Sequence, residues 1–155
     1  MTATVTIDRA TILHLWTTAW DAGLGFAPWR DALNGISPAH AVWSPAPGRH
    51  SIWAHVSHMC FWREYLAMAA RGMDVPSDDE VRRRNFEAPA SLLQTGHVEW
   101  IALCRRFEDS HRSMAAVYAD QACHHDWMWG LIAHDSYHVG QVMLLRALQG
   151  LAPLM

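Results

Sequence analysis

The chain has 155 residues, enough for one domain spanning 1–155 with a real core, and its 12 Lys+Arg against 15 Asp+Glu leave a formal charge of −3. That balance offers no basis for nucleic acid or an anionic membrane surface as a partner. Charged residues are 17% and apolar residues 51% of the chain, against roughly 25% charged in an average soluble domain, so a second buried surface is expected, most simply a homodimer.

The N-terminal stretch MTATVTIDRATILHLW has no basic region followed by an unbroken apolar run, so no signal peptide is expected. No apolar run approaches the ~18 residues of a membrane span. Cys60, Cys104 and Cys123 are odd in number and show no C-x-x-C spacing. This usage suits a reducing, cytoplasmic location better than a disulfide scaffold.

The first predicted helix starts near Thr6 or Asp8 and runs to about Ala27. Ile12, Leu15, Trp16, Ala19 and Trp20 fall on one face of it. A loop-rich stretch follows, with turn chemistry at NGISP (34–38) and SPAPG (44–48) and room for one short helical turn between them. The second helix runs from about Ser51, a side-chain N-cap, to Arg71, with Gly72 placed to end it. Residues 72–90 carry Gly, two prolines and mixed charge and read as a long crossover, with Arg82–Arg84 a solvated run. The third helix opens on the capping box of Ser91 and Gln94. Its seam is Leu93, His97, Trp100, Cys104, Phe107, His111, Met114 and Tyr118. The fourth helix runs from about Trp129 to Gln149, with Leu131, His134, His138, Gln141/Val142 and Leu145 facing inward and Gly150 beyond its end.

No segment alternates with period two. The fold expected is all-α, a four-helix bundle with long connections after its first and second helices.

HDSYHVGQ (134–141) sets two histidines on one inward stripe, either as buried structural residues or as metal ligands. His134 and His138 lie one turn apart on one face, so their rings can converge on a point about 2 Å from each nitrogen. The second helix offers His55 and His58 within SIWAHVSHMCFWRE (51–64) as a third ligand. Neutral imidazole suits zinc, nickel or iron(II), and three ligands leave room for water or substrate. Three histidines facing one core present six ring nitrogens that need partners, at ~1–3 kcal/mol for each one unmet, and one cation relieves three of them. Nearby carbonyls or the Gln141 amide are candidate acceptors for the remainder. His55 also reads as an ordinary core or surface histidine. His97 and His111 read as interior or interface residues, His124 and His125 as solvated, and His14, His40 and His50 have no partner pattern. Trp53, Trp62 and Trp129 are candidate pocket walls. Cys60 is wrongly rotated on its helix for a ligand. Tyr137 and Arg63 are the nearby candidates for a catalytic group. No nucleophile elbow or phosphate loop is present, and the pairs of E-x-x-H motifs that a di-iron bundle needs are missing.

Two stretches, PAPGRHSIWAHVSHMCFWRE (45–64) and LIAHDSYHVGQVMLLRALQG (131–150), resemble the DinB-like superfamily, the broad group of the bacillithiol S-transferases and the mycothiol-dependent maleylpyruvate isomerases. The resemblance covers nearly the whole length, and H-D-x-Y-H-x-G-Q followed by L-L-R is its more specific part. It implies a bundle of up-down-down-up order, commonly dimeric. It also implies a divalent metal on His58, His134 and His138, selecting His58 over His55, although a second imidazole on that helix departs from the pattern. It tilts the function toward thiol-dependent S-transfer, in which the metal activates a low-molecular-weight thiol of the bacillithiol or mycothiol type toward a small-molecule substrate. The thiol's ordinary pKa is about 8.5. A metal-dependent hydrolase, or a non-catalytic, metal-stabilised dimer that binds a ligand in a stress response, is the alternative.

Overall fold

The computed structural model describes residues 7–89, 96–123 and 129–154. The described residues form helices α1 (Arg9–Asp21), α2 (Pro38–Val42), α3 (Ile52–Ala70), α4 (Asp78–Arg84), α5 (His97–Ala119) and α6 (Gly130–Leu148), with one 3-10 turn at Trp29–Asp31 and no strand. The all-α expectation holds. The four predicted helices correspond to α1, α3, α5 and α6, and the connections carry α2 and α4 in addition.

Local chemistry explains the boundaries. Asp8 caps α1 by accepting from the Thr11 backbone N–H, and Ser51 caps α3 by accepting from Ala54. α1 ends at Asp21, six residues short of the expected Ala27. Gly23 takes φ +75°, and a Cβ there would sit 1.9 Å from the Phe26 carbonyl oxygen. The chain turns at Gly23 because only glycine permits it. Ser37 and His40 form a reciprocal capping box that starts α2. Arg82–Arg84 is not a loop but the last turn of α4. Ser77 caps that helix, Asp78, Asp79 and Glu80 fill its first turn, and the arginines close it, so charge follows the helix dipole at both ends. The Ser91/Gln94 capping box and Leu93 lie outside the described residues, as do His124 and His125.

α3 is the innermost helix; residues 51–61 are buried without a break. It packs on α5 and α6, while α1 packs on α5. Contacts between α3 and α5 climb together: Trp53 meets Trp100 at 5.4 Å between ring centroids, Glu64 takes the Arg106 fork at 2.6 and 2.7 Å, and Arg71 reaches Ser113. Between α1 and α5 they run oppositely, from Arg9 on the Val117 carbonyl to Trp16 on the His111 carbonyl and Trp20 on Phe107.

The predicted seam of α5 is buried at Trp100, Phe107, His111, Met114 and Tyr118, whereas His97 is exposed and Cys104 half-buried. His111 is interior, sandwiched between Trp16 and Trp20 at 5.0 and 4.2 Å. Beside it lies Arg63, fully buried, with its guanidinium 4.3 Å from the centre of the Phe107 ring and 5.3 Å from that of Trp16. Such a charge is tolerable only when paired. Its Nε donates to Asp135 Oδ2 at 2.6 Å, and its Nη1 donates to the Phe107 carbonyl at 2.9 Å. This pair ties α3 to α6 at the level of the candidate site.

Candidate metal centre

α3 and α6 each present a histidine stripe to the other. His58 Nε2 lies 2.9 Å from His134 Nε2, and His55 Nδ1 lies 3.0 Å from His138 Nδ1. A ring nitrogen from each of His58, His134 and His138 falls within 4.8 Å of the others. The three expected residues are thus brought together, and His55 stands behind His138.

The opposite nitrogens of these rings are held by acceptors. Asn85 Oδ1 accepts from His58 Nδ1 at 2.6 Å, and the Asp135 carboxylate accepts from His134 Nδ1 at 2.8 Å. Each of these rings therefore carries its proton on Nδ1, and in the neutral form two Nε2 lone pairs face each other across 2.9 Å. That contact is repulsive unless a proton or a cation sits between them. Burial opposes a proton on His58, holding it down at about 4 against an ordinary 6.5. A divalent cation resolves the conflict, since nitrogens about 2 Å from one ion lie roughly 3 Å apart. Neutral nitrogen donors of this kind suit zinc, nickel or iron(II). With its Nδ1 engaged by His55, His138 keeps Nε2 for the same ion.

Asp135 is the other half of the buried pair with Arg63. Burial pushes its carboxyl up, but Arg63 and His134 outweigh burial and hold it below the usual value. One carboxylate therefore neutralises the core arginine and orients a candidate ligand at once.

Above the histidines lies a cavity of about 560 Å³, walled by Trp62, Leu66, Phe86 and Leu131 and floored by His58, His134 and His138. Phe86 stacks on His58 at 3.8 Å and on His50 at 3.9 Å. It does so from the left-handed region, φ 57°, which costs a bulky residue ~1–3 kcal/mol. The two ring stacks hold it there.

The remaining candidates fall elsewhere. Arg63 faces the core and lines no part of the cavity. Tyr137 is 62% exposed and lines a separate groove, together with Gln141. Trp62 walls the cavity as expected; Trp53 packs on Trp100 instead, and Trp129 is half-exposed at the start of α6. Cys60 is buried, with its thiol pushed up to about 12 by burial. Asn85, Phe86 and the role of Asp135 were not anticipated. Asp135 was visible inside the H-D-x-Y-H motif, whereas nothing in the crossover's composition marks Asn85 and Phe86.

The depressed histidines make stability depend on pH. Burial holds His55 and His58 at about 4 and His111 and His138 at about 3, while the unfolded chain protonates them near 6.5. Between about pH 6.5 and 3 the unfolded state binds more protons, so stability is full above that window and falls as pH drops through it. Thermal melts of the metal-free protein should show the midpoint dropping steeply across the window. A flat midpoint would mean that the rings are solvated.

No curated protein and no solved structure matches the chain. A family model does match, over residues 27–142, from the turn before α2 through both histidine stripes to the middle of α6; the chain belongs to the DinB superfamily.

Proposed function

We propose that this is a divalent-metal enzyme, a thiol-dependent S-transferase, with His58, His134 and His138 as its metal ligands. The observation that carries the reading is the pair of facing Nε2 lone pairs at the floor of an apolar-walled cavity. A bound cation would supply the positive charge that turns a thiol of the bacillithiol or mycothiol type into its thiolate. The protein's own residues do the rest. Asn85, Asp135 and His55 fix the ring orientations. Trp62, Leu66, Phe86 and Leu131 exclude water and receive the apolar part of a small-molecule electrophile. Arg63 acts as a positioning residue, through Asp135 and His134, and Tyr137 stands at 5.0 Å from the His138 ring.

The same proposal includes one domain across 1–155, up-down-down-up order, a homodimer and a cytoplasmic location. Supporting the order are α3–α5 contacts that climb together and α1–α5 contacts that run oppositely. Supporting a dimer are Val98 and Trp129, large apolar side chains 76% and 50% exposed. Supporting a reducing compartment are three free cysteines. No helix among the described residues is long and apolar enough to cross a membrane.

The test is turnover. Zinc- or nickel-loaded protein, given bacillithiol or mycothiol with a panel of electrophiles, should form conjugate well above a His138→Ala background. Turnover of esters or amides without thiol would move the assignment to a hydrolase. Metal binding with neither activity would leave a metal-stabilised binding protein.

A further inference from the structure

On the far side of His55 from the metal centre lies a second groove, of about 390 Å³. One wall carries Arg49, His50 and His55. The opposite wall is Leu144, Leu145 and Leu148, and no carboxylate lines it among the described residues. We propose that this groove binds an amphipathic monocarboxylate, its head taken by Arg49, His50 and His55 and its hydrocarbon body laid along Leu144, Leu145 and Leu148.

Three observations converge on that ligand. The Arg49 guanidinium is exposed and makes no hydrogen bond or ion pair within the described residues, and a planar fork of this kind matches a carboxylate. Leu144 and Leu148 are 53% and 57% exposed, one turn apart on α6, which is an apolar strip beside a cationic rim. His55 is only 7% exposed, yet just one of its ring nitrogens has a partner in the protein. If His138 keeps Nε2 for the cation, its Nδ1–H donates to His55 Nδ1. Neutral His55 must then carry its proton on Nε2. That N–H has no acceptor within the described residues, and a ligand oxygen in the groove would provide one.

His55 thus belongs to two sites. It is the acceptor behind a candidate metal ligand and a donor at the groove, which explains a second imidazole on this helix without making it a ligand. The groove itself does not depend on the proposed S-transfer; only the shared role of His55 rests on the metal reading.

Titration calorimetry with octanoate tests the groove, using octanol and octylamine as controls, on metal-free protein so that the carboxylate has no cation to bind. Octanoate should bind and both controls should not. Arg49→Gln, an exposed substitution that leaves packing untouched, should weaken octanoate about tenfold, the loss expected of one charge-assisted contact, and leave zinc affinity unchanged. Leu144→Asp should abolish octanoate binding. His55→Phe should weaken both octanoate and zinc. Unchanged octanoate affinity in Arg49→Gln, equal binding of octanol, or a loss that follows His58→Ala instead would each overturn the proposal. Zinc binding that fails in every protein while octanoate still obeys Arg49 would sink the metal reading and leave the groove standing.

Discussion

Asp135→Ala is expected to cost about 3–5 kcal/mol of folding stability, because it leaves the Arg63 charge buried without a counter-ion. Both side chains are fully inaccessible, and the bond between them is 2.6 Å. The remaining donor contacts of Arg63, to the Phe107 carbonyl and the Ser110 hydroxyl, carry no formal charge and cannot replace the carboxylate. A loss of this size is about a fifth or more of the ~5–15 kcal/mol that holds a typical domain together. Urea unfolding of the metal-free protein measures it. The double replacement Arg63→Met with Asp135→Leu should recover most of the loss, since an apolar pair removes the buried charge altogether. If Asp135→Ala unfolds within ~1 kcal/mol of the parent, the pair is not what joins α3 to α6.

His58→Ala is expected to remove the metal. Elemental analysis of the purified parent should give about one divalent ion per chain, in line with a three-histidine site, and the variant far less. A finer comparison separates ligand from support. Asn85→Ala keeps all three rings but deletes the oxygen that orients His58, so the metal should bind about ten- to a hundredfold more weakly in chelator competition. Cys60→Ser should leave metal affinity unchanged, because that thiol is buried in the core and held protonated. A parent that purifies free of metal and takes up none on titration would leave the facing Nε2 atoms unexplained and remove the basis for S-transfer.

The Asn85 result also bears on how a crossover becomes part of a site. Its α4 is a short polar helix without a buried residue, held by its own cap and charge pattern. Immediately beyond it, Asn85 and Phe86 drop onto α3, where one orients a histidine and the other stacks between two. Phe86 accepts a backbone conformation that bulky residues avoid, which is consistent with strain concentrated where an element is shaped for a site rather than for itself.

Periodicity and caps were enough to place α3 and α6, because both depend on local signals: Ser51 at the start of one, Gly72 and Gly150 in the left-handed region beyond the ends of both, and apolar residues at helical spacing between. The pairing of His134 with His138 is equally local, being one turn of a single helix. That His58 is the third member, facing His134 rather than standing behind the pair as His55 does, was legible only through resemblance to a family, since the two residues differ by less than one turn and rotation on α3 is set by what packs around it.

Composition, helical period and the H-x-x-x-H spacing therefore determined an all-helical chain with half of a candidate metal site, because those properties depend on neighbours within a few residues. Only the tertiary structure decided that Asp135 serves both Arg63 and His134, that Asn85 and Phe86 close over His58, and that His55 faces a groove. Apart from Asp135 with its neighbour His134 on α6, these contacts join residues on different elements, and their partners are chosen by packing in three dimensions that no local pattern encodes.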